Sequence, residues 1–435
     1  MGGSTRGARE GASTQGTLRQ AVCRPGQPGC PSPSFPGARA PAASERDEMT
    51  GQTAADDRGE HGEHGEHPEH GQHEEHLEQH GHGDREQRER DLVLLHRAVA
   101  LAANGPAADA NPRVGCVLLG SDGEVVGEGW HRGAGTPHAE LAALAQARAG
   151  GHDVRGGTAY VSLEPCNHTG RTGPCAEALV EAGVRRVAYA LPDPNPVAVG
   201  GADTLRAAGV RCDLVPVEGA ATMVEAFVHA VTHGRPFVTW KLAATIDGRS
   251  AASDGSSQWI TGPAARADVH RLRATAGAVV VGTGTVLADD PRLTVRDADG
   301  SHHERQPVRV VVGRRDIPPT ARVLDDGAPS LLVRERDPHL VLATLHELDV
   351  RHVWLEGGPT TAAAWLRAGV VDRVVAYVAP ALLGAGAAAV GDLGVATIAD
   401  AHRLTTTDVA VLDGDVRITL RPQPVHHRVD HPGGQ

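Results

Sequence analysis

Two short stretches hold the side chains best suited to chemistry: His138-Ala139-Glu140, and "SLEPCNHTGRTGPC" at residues 162–175. The second carries Cys166 and Cys175 with an eight-residue insert between them. Two thiolates and an imidazole are donors that zinc prefers. Three protein ligands rather than four leave a position open for water, which is the catalytic pattern and not the structural one. Zinc lowers the pKa of such a water towards neutrality. Glu140, two residues past His138, is placed to carry that water's proton without binding the metal. The insert brings His168 and Arg171 beside the ligands, and Arg171 would suit a substrate that carries a phosphate. Asn111, in "NPRVG", can read a base edge with its amide, and His131 lies in the loop before the ligand helix.

A second set lies further along. The chain has 42 basic residues, of which only Lys241 is lysine. An ammonium is compact, has three rotatable donors and shifts its pKa when buried. Arginine would serve if charge alone were needed, so Lys241 is a candidate for a specific contact; chance survival on a surface is the alternative. "VVVGTGTVLADDPRLTVR" and "VWLEGGPTTAAAW" each bring a strand to a glycine turn. Glycines at a helix start let backbone N–H groups approach a pyrophosphate. Neither stretch is G-x-G-x-x-G, so an ordinary tight turn is an equal reading of each. Arg314 and Arg315 follow the strand "PVRVVVG", where they could pair with a 2′-phosphate or form a solvated turn.

Alternating strands and helices must position these groups. "DLVLLHRAVALAANG", "HAELAALAQARAG" and "CAEALVEAG" have helical spacing. "RVGCVLLG", "TAYVSLE", "RRVAYAL" and "VRCDLVPV" read as strands, and "DPNP" turns the chain into another helix. A second α/β unit opens near residue 233 with "FVTWKLAA". It continues through "AVVVGTG", "PVRVVVG", "SLLV", "VRHVWLEGG" and "DRVVAYVAP" to the strand-rich end "VAVLDGDVRITLRP". Its helices are "AARADVHRLRATA", "VLATLHEL" and "TTAAAWLRAG". Such alternation implies buried sheets covered by helices.

Composition sets the limits. At 435 residues the chain exceeds one typical core. Apolar residues at 40% suffice for packed domains, while aromatics at 3% leave the cores to Ala, Val and Leu. A net charge of −12 argues against a general nucleic-acid binder. There is no apolar run of membrane-spanning length and no apolar signal-peptide core. Six cysteines form no disulfide framework, so a cytoplasmic location without membrane partners is expected. Residues 1–90 are rich in Gly, Pro, Gln and charge, and read as a disordered extension. Within them histidine recurs every third residue from His61 to His76. This tract reads either as a solvated low-complexity tail or as a loose metal buffer. The expected organisation is that extension, domains at 91–232 and 233–422, and a polar tail at 423–435.

H-x-E followed by P-C…C is the signature of zinc deaminases. A C-x2-C pair is usual there, so the longer insert is informative. "NPRVGCVL", "GAGTPHAE", "VSLEPCNHTGRTGPCAEALVEAG" and "DPNPVAVGGADTLRAAGV" resemble the deaminase half of the bifunctional riboflavin-biosynthesis deaminase/reductases. The family often has Pro-Pro before the second cysteine; here it is Gly173-Pro174. "KLAATIDGRSA", "SQWITGPAARADVHRLRA", "VGTGTVLADDPRLTVR" and "EGGPT" resemble the reductase half. The resemblance spans roughly residues 91–420.

It implies a cytidine-deaminase-like α/β/α domain followed by a dihydrofolate-reductase-like α/β domain. It further implies zinc and NADPH as cofactors, and a small phosphorylated pyrimidine as substrate. By motif position, Ala243, Trp259, Thr285, Asp289 and the turn Gly358-Pro359-Thr360 would contact NADPH. Ser257, Arg273, Leu293, Arg296 and Glu356 would contact substrate, with Arg273 and Arg296 as phosphate clamps and Lys241 near the ribose. Without the resemblance, Arg273 reads equally as a solvated helix face and Trp259 as core. A homo-oligomer is expected. Two other readings are a nucleoside or tRNA deaminase with an appended domain, and a metal-storage protein built on the histidine tract.

Overall fold

The computed structural model describes residues 70–168, 173–297 and 299–423, with side chains from residue 83. Helix α1 (His70–Ala102) opens the described chain. It is followed by β1 (Gly115–Leu119), β2 (Val125–Trp130), α2 (Ala139–Ala149), β3 (Thr158–Val161) and α3 (Cys175–Glu181). Then come β4 (Arg186–Tyr189), α4 (Gly201–Ala207), β5 (Arg211–Leu214) and α5 (Ala220–His233). The five strands form one sheet in the order β2-β1-β3-β4-β5. β1 pairs antiparallel with β2 and β3, while β3, β4 and β5 run parallel.

Strand alternation sends Cys116 and Leu118 to one face and Val117 and Leu119 to the other. Ala139, Ala143 and Ala147 of α2, Leu179 of α3 and Leu205 of α4 pack on the first face. Leu94, Leu95, Ala98 and Val99 of α1 and Ala220 of α5 pack on the second. The small residues allow a close fit. A Cβ at Gly129 of β2 would stand 2.4 Å from the Ala139 carbonyl oxygen and from the Ala143 nitrogen. Helix α2 therefore lies directly on β2, which fixes where its N-terminus, and so His138, can be. Arg186 joins the layers through Asp91 of α1 and Asp213 of β5, each at 2.7 Å.

The second half begins with β6 (Phe237–Thr245), α6 (Pro263–Arg273), β7 (Ala278–Gly282), α7 (Thr283–Asp289) and β8 (Val308–Val312). It continues with β9 (Ser330–Val333), α8 (Pro338–Glu347), β10 (His352–Leu355), α9 (Pro359–Arg367) and β11 (Arg373–Ala379). The hairpin β12 (Leu404–Leu412) and β13 (Asp415–Pro422) closes it. The eight-stranded sheet has the order β12-β13-β11-β6-β10-β7-β8-β9. It is parallel from β11 to β9, with the hairpin added antiparallel on β11. The valine runs of β7 and β8 are buried on both faces, as a covered parallel sheet requires. One face packs on α8 and α9 through Val341, Leu345, Ala362 and Trp365. The other packs on α6 and α7 through Ala265, Val269 and Val286.

Two helices were not read from the sequence as such. Helix α5 carries apolar Val224, Phe227 and Ala230 on one side and joins the halves. Its Glu225 pairs with Arg373 of β11 and Arg421 of β13. Helix α7 occupies the stretch read as a Gly/Thr turn. No helix among the described residues is long and apolar enough to cross a membrane. The histidine tract before residue 70 and the tail from 424 lie outside the described residues, whereas residues 70–90, expected to belong to the disordered extension, continue the first-domain helix backwards as part of α1.

Candidate functional site

The end of β3 and the starts of α2 and α3 meet at one point. His138 is the N-cap residue of α2, Cys175 the first residue of α3, and Cys166 lies in the loop after β3. The Ala176 backbone N–H donates to the Cys166 carbonyl at 3.2 Å, tying the two cysteine segments together. Helix α4 backs them, since a Cβ at Gly201 would collide with the Pro165 carbonyl oxygen. His138 Nδ1 stands 3.4 Å from Cys166 Sγ and 3.3 Å from Cys175 Sγ. All three donor atoms lie within 4.8 Å of one another. Two sulfurs and one imidazole nitrogen at this spacing, both cysteines buried, match the donor chemistry of zinc. The hydrogen bond from Cys175 holds the Cys166 thiol well below its ordinary range, and sharing that proton pushes Cys175 up.

Glu140 is buried beside this cluster, with 3% of its surface exposed. Burial, helped by the Cys166 charge, raises its carboxyl to about 7. A carboxyl there gains and loses a proton with equal ease near neutral pH. His131 Nδ1 lies 3.1 Å from the Pro137 carbonyl, so it must be the N–H donor. Its Nε2 then accepts from the Asn111 amide at 3.1 Å. Burial lowers the His131 pKa, in keeping with a neutral ring. This network turns the Asn111 carbonyl oxygen away from His131. The His168 ring lies 6.2 Å from that of His138, and its buried Nδ1 has no hydrogen-bond partner among the described residues. Arg171 lies outside the described residues.

Asn111, His131, His138, Glu140, Cys166 and His168 line one cavity of about 360 Å³. The sequence reading missed several other groups there. Glu164 accepts from the Ala202 and Asp193 backbone N–H groups at 2.9 and 3.2 Å and pins the "DPNP" turn. That turn contributes Asp193, whose pKa burial raises, and Asn195. Their signal was present in "DPNP", which reads as a turn alone. Asp349 and Arg351 also line the cavity but come from the second half. They sit 241 residues from the segment they meet, judged by the Arg351–Ala110 bond. No local motif marks them.

The second constellation gathers around β6. Lys241 and Ala243 lie on this central strand, between β11 and β10, on the same side by period two. Burial lowers the Lys241 pKa, opposed by Glu356 and assisted by Arg273. The Arg273 fork donates to Glu356 through Nε at 2.8 Å and Nη2 at 2.9 Å, and through Nη1 to the Thr294 carbonyl at 2.7 Å. Trp354 Nε1 donates to the same carboxylate at 2.6 Å. Arg273 is therefore not a solvated helix face: Glu356 and the Thr294 carbonyl take a donor from each of its three nitrogens. Arg296 is exposed and its guanidinium is unencumbered by any ion pair among the described residues.

The glycine turns meet one another. The Gly358 N–H donates to Thr285 Oγ1 at 3.3 Å. Cβ atoms at Gly282 and Gly357 would each come within 2.6 Å of the Thr361 side chain. Gly282 thus allows close packing between the starts of α7 and α9, and Gly357 lets the turn fold tightly onto its own helix. Pro359 and Thr360 lie at the start of α9. Arg315 extends over Gly284, while Arg314 pairs with Glu335 at 3.5 Å. Trp259 is not core: it is 70% exposed, with the Arg266 guanidinium 4.4 Å from its ring centre. Ser257 is half-buried and Asp289 exposed. Leu293 is buried in the core with a left-handed backbone at φ 56°, a conformation that costs a leucine energy.

A His-Cys-Cys metal cradle beside a buried carboxyl, joined to a mixed α/β domain with paired glycine turns, places the chain among two-domain enzymes with a deaminase-type centre. The cytidine and deoxycytidylate deaminase zinc-binding region family matches residues 88–191, and the RibD C-terminal domain family matches residues 236–418. The riboflavin biosynthesis protein RibD of Mycobacterium tuberculosis is 51% identical over 311 residues, covering 71% of this chain and 90% of that one. Its Escherichia coli counterpart is 38% identical over 367 residues, covering 76% and 99%. The structure of Acinetobacter baumannii RibD superposes with a TM-score of 0.71 at 39% identity, covering 78% of this chain and all of that one. The chain belongs to the RibD family, the bifunctional deaminase/reductases of riboflavin biosynthesis.

Proposed function

We propose that the chain performs two consecutive steps on one phosphorylated pyrimidine. The first is zinc-dependent hydrolytic deamination of 2,5-diamino-6-(5-phosphoribosylamino)pyrimidin-4(3H)-one in residues 91–232. The second is NADPH-dependent reduction of the ribosyl to the ribityl arm in residues 233–422. The observation that carries the first step is the trio His138, Cys166 and Cys175 with Glu140 beside it at about 7. These three would hold zinc, which supplies an acidified water. Glu140 would carry a proton from the attacking water to the departing amino group, which would leave as ammonia. Asn111, oriented by neutral His131, hydrogen-bonds the pyrimidine edge.

For the second step, Lys241 contacts the open-chain ribose near the carbon that receives hydride, and Glu356 and Arg273 hold its surroundings. The meeting of the Thr285 and Gly358 turns supports a cofactor cradle there, with Ala243, Trp259 and Asp289 as further contacts. Thiols that must stay reduced to bind metal favour a cytoplasmic location. The test uses metal analysis and an ammonia assay. Cys166→Ser should lower zinc content by about one per chain and abolish deamination. Glu140→Gln should keep the zinc and lose deamination. Wild-type deamination by Glu140→Gln would defeat the assignment.

A further inference from the structure

The cavity around the zinc cradle has a charge problem. Four carboxyl groups line it: Glu140, Glu164, Asp193 and Asp349. Arg351 is the only arginine or lysine among the described lining residues. A phosphate entering such a cavity would meet mostly repulsion unless a cation faced it, since opposed charges at contact distance in a partly buried site interact strongly.

Arg351 belongs to the second half and immediately precedes β10. Its Nε donates to the Ala110 carbonyl at 3.2 Å, next to Asn111. Its Nη2 pairs at 3.0 Å with Asp349, whose side chain is 71% exposed. The Arg351 side chain as a whole is 18% exposed. It is held in place by the Ala110 bond, is partly buried, and has Nη1 without a hydrogen-bond partner among the described residues.

We propose that Arg351, supplied by the reductase half, reads the phosphate of the substrate in the deaminase cavity. The inference rests on the deaminase reading above and adds to it an anion contact that the deaminase half lacks on its own described residues. A planar fork with one edge held by protein and the other open is suited to a phosphate oxygen. The competing attraction from Asp349 is exposed and is readily exchanged for the ligand.

The test compares the phosphorylated substrate with its dephosphorylated analogue in full-length wild type, Arg351→Met and Arg351→Lys. Arg351→Met should raise the deaminase KM for the phosphorylated substrate by about tenfold or more, close to 1.4 kcal/mol. Its kcat should stay within about threefold, and its KM for the dephosphorylated analogue should barely move. Arg351→Lys should recover part of the phosphorylated-substrate KM. NADPH oxidation by the same preparations shows whether each variant is folded. An unchanged KM, or an equal rise on both substrates, overturns the proposal. A wild-type chain that deaminates neither compound would instead defeat the deaminase reading itself.

Discussion

Glu356→Gln changes one oxygen to an amide and removes one charge. In the structure both Glu356 oxygens are used, by Arg273 Nε and Nη2 and by Trp354 Nε1, at 2.6 to 2.9 Å. A glutamine keeps one acceptor and turns an N–H group towards the remaining arginine donor. Arg273 is 8% exposed, so its charge is left buried and unpaired. Removing one partner of such a pair costs about 3–5 kcal/mol. With ~2–4 °C of melting temperature per kcal/mol for a domain of this size, the reductase transition should fall by about 6–20 °C. Scanning calorimetry of the full chain would read it, with the deaminase transition as internal reference. Adding Arg273→Met should restore at least half of the loss, because replacing both members by uncharged groups removes the stranded charge. A shift under about 2 °C, or a double variant no better than the single one, would refute the reasoning. The pH dependence has a definite sign. Burial works to raise the Glu356 carboxyl, but Arg273 and Lys241 outweigh it and hold it below its ordinary range. Its contribution is thus present above the unfolded-state value of about 4.3 and lost as the pH falls through the lower folded value.

Lys241→Arg should lower reductase turnover at least about tenfold, or 1.4 kcal/mol in the barrier, and leave ammonia release untouched. Normal NADPH oxidation would make the single lysine an accident of composition. Arg315→Ser should raise the KM for NADPH while sparing that for NADH, whereas Arg314→Ser, already paired with Glu335, should change neither much. Equal effects on both cofactors would remove Arg315 from the 2′-phosphate. His352 accepts from the Thr239 hydroxyl at 2.9 Å, donates to the Thr275 carbonyl at 3.1 Å, and is lowered by burial to about 4. Its neutral form supports the fold above the unfolded value of about 6.5, and that support is lost as the pH falls towards the folded value. His352→Gln should therefore flatten the fall in melting temperature across this window, and an identical slope would exclude the residue.

The grouping of His138, Cys166 and Cys175 was legible because its parts are local signatures: a histidine at a helix start, and cysteines at a strand end and a helix start. Strands β7, β8 and β11 were legible from valine-rich runs bounded by turns, and those of the first half from short apolar stretches between helices. Helix α7 was not, because a seven-residue helix opening on Thr283-Gly284 has weak propensity and is held by packing on β7 and β8. Asp193 was hidden within a turn motif whose geometry, fixed by Glu164, aims it inward. Arg273 illustrates the opposite limit. Its residue type suggested a phosphate clamp, while its actual partners, Glu356 and the Thr294 carbonyl, lie 83 and 21 residues away.

Strand β10 is only four residues long, yet Arg351 stands at one end and Glu356 at the other. It is paired on both sides, with β6 and β7, and cannot slide independently. The two chemistries are therefore mounted on one short rigid bar. A recombinant that exchanges the second half for that of a relative would also exchange part of the first cavity's wall. A gene split between the halves would yield a deaminase with one side of its pocket missing until the other product docked. Lineages that keep both activities in one chain would inherit that wall already in register.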